Sequence, residues 1–459
     1  MLTPDIFRAY DVRGLVPAEF DEDGAYRIGQ SLVRYTGAKR VIVAGDARTS
    51  TPVLKAALIR GVTSQGAAVV DVGTLTTPMF YFAVGKLGGE DAAGAMITAS
   101  HNPPEYNGVK LTRGDVSPIG GETGLFEVRD DAMRGPYPDA ADANPAALEA
   151  ANVLQPYLDM LTAAVPPNSV PECTIVVDGG AGVAGTVVPE VLERYPQVRM
   201  TGLCMAPGGA QLHEANPLKE ETLAHLQEAV RTTGAVAGFA FDGDADRIGA
   251  VDERGVPLRG DTLTALLAAE VLAAKPGATV MYDVRSGWPV PEAITAAGGK
   301  AEMVPVGHGR IKPRMRDAHA AFAGELSFHF YFGGLHRCEC SDLVLLMLLQ
   351  RMKREGKTLS ELAAPLCTQG HSGEVNFRVE DVDVVLNEID AKFRASATET
   401  IRIDGVRMEF RDPARPESDW WLSVRASNTE PLLRVSVGTR TAADLDARLL
   451  EVTSVVRRA

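Results

Sequence analysis

VIVAGD at residues 41–46, TIVVDG at 174–179 and TVMYD at 279–283 are three versions of one phrase, a short β-branched run that closes on an aspartate or an Asp-Gly turn. Each is followed by a helix-forming stretch and then a second apolar run: AAVVDVG (67–73), VRMTGL (198–203) and AEMVPVG (301–307). Strand, helix and strand at this length make a βαβ unit, whose right-handed crossover brings the two strands together in parallel. Three copies predict three similar α/β layers. Each copy later carries a small-residue strand that runs into a polar loop: AGAMITASHN (93–102), AGFAFDGDADR (237–247) and AFAGELSFH (321–329). Open α/β sheets present ligands at their strand ends, so the three loops are expected to face one shared cleft.

The last part of the chain breaks the pattern. WWLSVRAS (420–427) and LLRVSVG (432–438) read as strands around the polar turn at 428–431, and a helix-like run follows from Ala442. The expected fold is therefore α/β: three similar mixed-sheet α/β domains plus a smaller C-terminal α+β domain around one central cleft. The boundaries read from the sequence give domains at 1–148, 149–254, 255–366 and 367–459. A chain of 459 residues is long enough for such a division.

Composition narrows the function. Forty-six Lys plus Arg against 60 Asp plus Glu leave a net charge of −14, which argues against a broad electrostatic hold on nucleic acid or anionic lipid. The longest apolar run, 343–349, is far short of the ~20 residues that span a bilayer. The first residues carry charges where a signal peptide needs an apolar core, and five scattered cysteines suit reduced thiols. The expected location is the cytoplasm, with no nucleic-acid or membrane partner. His336, Cys338 and Cys340 lack the spacing of a zinc knuckle, and ordinary packing is the better reading.

Four loops carry the chemistry. In D-G-D-A-D-R (242–247), three carboxylates fall within five residues; at ~5 Å and an effective dielectric of ~20, each pair repels by about 3 kcal/mol. A divalent cation removes that cost, and an all-oxygen set selects Mg²⁺ or Ca²⁺. An EF-hand is excluded because Arg247 stands where the turn needs glycine and the flanks read as strands. T-A-S-H-N-P-P-E-Y-N-G-V-K (98–110) is a rigid loop in which Ser100, beside His101 and near Lys110, reads on its own either as a turn residue or as the carrier of a phosphoryl group. In G-E-L-S-F-H (324–329), Glu325 and Ser327 sit two residues apart, and on an extended chain both would face adjacent sugar hydroxyls. R-A-S-N-T-E-P (425–431) combines a guanidinium fork, hydroxyls and an amide, which reads either as a phosphate clamp or as a polar hairpin turn. Gly180, Gly182 and Gly185 mimic a dinucleotide fingerprint, but the ribose-binding acid that should follow is missing.

Together with F-R-A-Y-D-V-R-G (7–14), these motifs occur in an order that resembles the α-D-phosphohexomutase family, closest to its bacterial phosphomannomutase/phosphoglucomutase members. The resemblance runs the length of the chain. It implies reversible transfer of phosphate between O1 and O6 of hexose phosphates, through a phosphoserine at Ser100 and a hexose 1,6-bisphosphate that serves as intermediate and activator. By the same resemblance Asp242, Asp244 and Asp246 hold Mg²⁺ together with a phosphoserine oxygen of Ser100. Lys110, His101, Arg247 and His308 would stabilise charge or move protons. Tyr10, Arg13, Arg285, Glu325, Ser327, Arg425, Ser427, Asn428 and Thr429 would bind substrate. The protein would act as a monomer or dimer.

Two positions depart from the family pattern: Arg285 stands where a lysine is usual, and Phe328 where a glycine is usual after the serine of the sugar loop. The bulk of Phe328 is expected to narrow or tilt the sugar pocket. The alternatives within reach of the motifs are a phosphoglucosamine mutase and a sugar-phosphate-binding protein that has lost turnover.

Overall fold

The computed structural model describes residues 2–145, 147–209, 212–427 and 432–457. Its first sheet holds six strands: β1 (Val12–Leu15), β2 (Arg40–Gly45), β3 (Ala68–Thr74), β4 (Ala92–Ile97), β5 (Tyr106–Arg113) and β6 (Leu148–Ala150). The second holds β7 (Cys173–Asp178), β8 (Val198–Leu203), β9 (Ala237–Phe241), β10 (Ile248–Asp252) and β11 (Pro257–Leu258). The third holds β12 (Thr279–Asp283), β13 (Lys300–Val304), β14 (Phe322–Gly324), β15 (Phe330–Phe332) and β16 (Cys338–Glu339). A fourth sheet takes β17 (Gly370–His371), β18 (Val375–Phe377), β19 (Glu399–Ile401), β20 (Val406–Phe410), β21 (Trp420–Ala426) and β22 (Leu433–Thr439).

The repeat seen in the sequence is a repeat of topology. β2, β7 and β12 each lie between two parallel partners: β3 and β4, β8 and β9, β13 and β14. In each sheet the next strand, β5, β10 or β15, turns back antiparallel. β4, β9 and β14 therefore end on the same side of their sheets. Because the central strands are covered on both faces, they read as continuous apolar runs with no polar alternation. The fourth sheet is antiparallel throughout, backed by helices Val382–Phe393 and Leu445–Val456.

Two sheet edges differ from the sequence-derived limits. β6 pairs with β3, so the first sheet extends to Ala150, past the expected boundary at 148. β11 returns to β10 through a tight turn in which Asp252 accepts from the backbone of Arg254 and Val256, so the second sheet reaches Leu258, past 254. Short edge strands carry too little apolar periodicity to be legible from sequence.

One apolar cluster runs unbroken from Phe80 and Met96 in the first domain through Tyr157 and Ile175 to Leu263 and Leu346 in the third. The fourth domain keeps a separate core around Phe393, Phe410, Trp420 and Val437. No helix among the described residues is long and apolar enough to cross a membrane.

Candidate active site

The ends of β4 and β9 meet. Ser100, three residues past β4, donates from Oγ to Asp242 Oδ2 at 2.7 Å, joining the serine loop of the first domain to the acidic loop of the second. The D-G-D-A-D-R loop lies between β9 and β10 as a hairpin turn, with Ala245 at φ 59°, and this curls all three carboxylates inward. Asp242, Asp244 and Asp246 are buried, and one oxygen of each lies within 4.8 Å of the others. Such a cluster cannot stand uncompensated. Lys110, on β5, supplies part of the answer: its Nζ donates to Asp244 Oδ2 at 2.6 Å and Asp246 Oδ2 at 2.5 Å. Thr77 and Thr98 hydroxyls donate to the same Asp244 oxygen at 2.8 and 3.3 Å.

Asp244 Oδ1 and Asp246 Oδ1 are buried without a hydrogen-bond partner among the described residues. Among the described residues Asp244 Oδ1 has no partner at all and Asp246 Oδ1 only a long ion pair with His329 at 3.5 Å, and two such oxygens facing a third carboxylate fit a hard divalent cation. Burial pushes the Asp242 carboxyl up, and the charges of Asp246 and Asp244 push it further. Burial also opposes ionisation of Asp246, but Lys110 and His329 outweigh it and hold its carboxyl well below the usual range. Burial opposes the Lys110 ammonium too, yet Asp244 and Asp246 more than offset it, so Lys110 stays charged.

His101 Nδ1 lies 3.1 Å from Ser100 Oγ. Burial lowers its pKa well below the usual value, and Arg247 and Arg13 lower it further, so the imidazole is neutral beside the hydroxyl. Arg13, itself held by Asp11, donates to Asn102 Oδ1 at 2.7 Å and so braces the serine loop from β1. Arg247 follows the triad directly, and its Nε lies 3.2 Å from His329 Nε2.

The third domain contributes a knot of charge. Glu325 Oε1 accepts from Gly307 N at 2.8 Å, and Oε2 accepts from Tyr331 Oη at 2.5 Å. Arg285 is paired with Asp283 at 2.5 Å and reaches Ser327 Oγ at 3.2 Å. His329 bridges the domains, 3.4 Å from Glu325 Oε2 and 3.5 Å from Asp246 Oδ1. Burial and Arg247 oppose its protonation, but Asp246 and Glu325 prevail and raise its pKa to about 9. Burial would likewise raise Glu325, yet His329 and Arg285 keep it ionised. His308, at the start of helix His308–Asp317, packs against Tyr10 with ring centroids 5.0 Å apart. Burial, then Lys312 and Lys110, hold its pKa well below the usual value.

Residues 324–329 correct the extended reading of that segment. β14 and β15 pair as a hairpin, Phe328 N donates to Glu325 O at 3.1 Å, and Phe328 takes φ 68°. Glu325 and Ser327 thus flank a tight turn. The turn also carries the Phe328 ring into the main apolar cluster, so its bulk fills core.

In the fourth domain Arg425 is buried and donates to Glu374 Oε2 at 2.7 Å, while Arg434 donates to Oε1 at 2.6 Å and Arg285 Nη1 lies 3.4 Å from Oε2. Three guanidiniums share one carboxylate. Burial raises the Glu374 pKa, and the three arginines overcome it and bring it down to about 2. The described part of the clamp ends at Ser427; Asn428 and Thr429 lie outside the described residues.

Sequence reasoning missed His329 and Glu374. His329 stood beside the quoted motif, and only the hairpin turns it toward the triad. Glu374 is an isolated carboxylate with no local pattern. The glycine decoy has a structural explanation: a Cβ at Gly182 would stand 2.8 Å from Gly243 Cα, so the glycine lets the two loops of the second domain touch.

Family models agree with this geometry along nearly the whole chain. Phosphoglucomutase/phosphomannomutase alpha/beta/alpha domains I, II and III match residues 4–130, 155–255 and 259–369, and the C-terminal domain of the same family matches 374–453. The chain belongs to the phosphoglucomutase/phosphomannomutase family. Its relatives include a phosphomannomutase of Salmonella montevideo, 35% identical over 440 residues, covering 95% of this chain and 94% of that one. The phosphohexose mutases of Xanthomonas campestris strain B100 are 34% identical over 459 residues, covering 99% of this chain and all of theirs. A solved phosphoglucomutase/phosphomannomutase family protein from Burkholderia thailandensis superposes with a TM-score of 0.85 at 29% identity, covering all of this chain and 97% of the other. Membership makes the chain a phosphohexomutase enzyme, and the acidic triad lies where its second and first domains meet.

Proposed function

We propose that this phosphohexomutase interconverts the 1- and 6-phosphates of mannose and glucose through a phosphorylated Ser100 and a hexose 1,6-bisphosphate. The observation that carries the reading is the direct hydrogen bond from Ser100 Oγ to Asp242 inside a triad that Lys110 compensates only in part. A Mg²⁺ ion held by Asp242, Asp244 and Asp246 would supply the positive charge that neutralises phosphoryl oxygens.

The chain's own groups do the rest. In the first transfer the bond from phosphorus to Ser100 Oγ breaks, and a new one forms to the free hydroxyl of a hexose monophosphate. The hydroxyl proton must leave, and Ser100 Oγ must be able to take one. His308, kept neutral by burial, takes the proton of the sugar hydroxyl; His101, 3.1 Å from Oγ, takes the serine proton when Ser100 is phosphorylated and in that protonated form returns it when the phosphate leaves. His329, cationic at neutral pH, donates a hydrogen bond rather than removing a proton. Arg247 and Lys110 hold the transferring group as fixed cations. The bisphosphate then turns over and returns its other phosphate to Ser100. Arg285, Arg425 and the loop at 427–429 bind the phosphate that is not reacting, with Tyr10, Arg13, Glu325 and Ser327 lining the sugar side.

The test is a mutase assay on mannose 1-phosphate and, separately, glucose 1-phosphate, with Mg²⁺ and a trace of glucose 1,6-bisphosphate. Formation of the 6-phosphate is expected, and Ser100→Ala should abolish it while sugar-phosphate binding persists. Turnover of glucosamine 1-phosphate alone would replace the sugar assignment, and binding without any turnover would replace the enzymatic one.

A further inference from the structure

Arg48 lies on the loop after β2 and makes no contact with the triad, yet every guanidinium N–H is committed. Nε donates to Asp46 Oδ2 at 3.1 Å. Nη1 donates to the carbonyls of Pro103 at 2.7 Å and Tyr106 at 2.9 Å. Nη2 donates to the carbonyls of Ser100 at 2.7 Å and Asn102 at 2.6 Å. Five donors is all a guanidinium has, and four of them hold one loop. Asp46 is fixed in turn by Arg48 N and the Thr51 hydroxyl.

The loop needs holding. Ser100 adopts φ 50°, a left-handed conformation that costs a side-chain-bearing residue roughly 1–2 kcal/mol. Its amide donates to Thr98 Oγ1 at 3.0 Å and its carbonyl is taken by Arg48. The two bonds pin the peptide units on either side of the strained residue, and that rotation aims Oγ at Asp242. Lysine cannot reproduce the arrangement, because its three donors radiate from one point.

We propose that Arg48 is a positioning residue for phosphoryl transfer: it locks the left-handed backbone of Ser100 so that the phosphorylated side chain meets the acidic triad. The inference rests on the mutase reading, and concerns a residue whose guanidinium donors all go to Asp46 and the serine loop.

Loosening the loop should impair transfer to the sugar, which needs alignment, more than loss of phosphate to water, which does not. The decisive readout is the ratio of phosphoserine hydrolysis to sugar transfer in enzyme first phosphorylated by glucose 1,6-bisphosphate. That ratio is independent of how much enzyme is folded. In Arg48→Ala, transfer should fall about 30-fold or more and the ratio should rise at least about tenfold, with KM for the hexose phosphate within about twofold. A cavity of about 280 Å³ opens beside Arg48, between residues 100–104 and 180–182, so millimolar guanidinium can reach the place of the lost group and should restore part of the transfer rate. Arg48→Lys should fall between wild type and Arg48→Ala, and it supplies the measurement if the alanine variant does not fold. A wild-type ratio in both variants, or in Arg48→Lys alone where only it folds, overturns the role of Arg48. A wild-type enzyme that never phosphorylates Ser100 overturns the mutase reading, and the inference with it.

Discussion

Gly243→Ala isolates positioning from every other property of the site. Gly243 lies between two carboxylates of the triad and is not at positive φ, so alanine fits its backbone without strain. The obstacle is contact. An added Cβ would stand under 3.0 Å from the Ser100 carbonyl oxygen and 3.3 Å from the carbonyl carbon. An ordinary C···O approach is about 3.3–3.6 Å, so the two loops must part by about one ångström. That carbonyl is also held by Arg48, whose Nη2 would stand 3.9 Å from the same added Cβ, so the parting strains that bond. A displacement near 1 Å in a transfer that depends on alignment costs about 100-fold, or about 2.7 kcal/mol of transition-state stabilisation. The expected result is a kcat about 100-fold below wild type, with KM for hexose phosphate within about twofold because the phosphate clamp of the fourth domain is untouched. The assay is steady-state mutase kinetics at saturating Mg²⁺, with a thermal melt to show that the fold persists. Wild-type kcat from a folded Gly243→Ala enzyme would refute the view that the close passage of the two loops sets the chemistry.

Asp342, buried against Tyr157, has its carboxyl pushed up by burial to about 6, above its unfolded value of 3.8. The folded state thus binds the extra proton, so this group's penalty is absent below pH 4 and grows as pH rises toward 6. Asp342→Asn should be more stable than wild type at pH 7 by up to about 3 kcal/mol, with the gap closing near pH 4 in denaturant titrations; a gap independent of pH would sink this account. Phe328→Gly should lose about 2–3 kcal/mol, a core cavity of about 3–5 kcal/mol offset by relief of the left-handed backbone, with the mannose-to-glucose rate ratio changed less than about twofold. A large switch in sugar choice would mean that the ring shapes the pocket after all. Mg²⁺ should raise the melting temperature of wild type by a few degrees and leave Asp244→Asn unmoved; an equal rise in both would place the binding elsewhere.

The repeated strands were legible because central parallel strands are apolar throughout and end on conspicuous polar loops. The acidic triad was legible because its three members are local in sequence. What was hidden is what acts at a distance. Lys110 was recognised, but not that its ammonium bridges two of the aspartates, since that contact spans more than 130 residues. The extended reading of 324–329 failed because a phenylalanine in a left-handed turn is unfavourable locally and is sustained by burying its ring. Arg48 carried no motif at all; its meaning lies in four carbonyls of another loop.

The division of apolar surface says where this molecule can move. Parting any of the first three domains would expose a shared hydrophobic cluster to water, which is costly in proportion to the area bared. The fourth domain owns its core and meets the third largely through groups that water also satisfies: Glu374 among its arginines, Arg407 on the carbonyls of Val284 and Ser286, Trp288 on Glu409. Exchanging such bonds for hydration is close to neutral. The chain therefore combines three parts that share one core with a fourth whose contacts to them water can replace. If the fourth domain swings on these contacts, the alignment of serine, triad and sugar turn in the other three is left undisturbed.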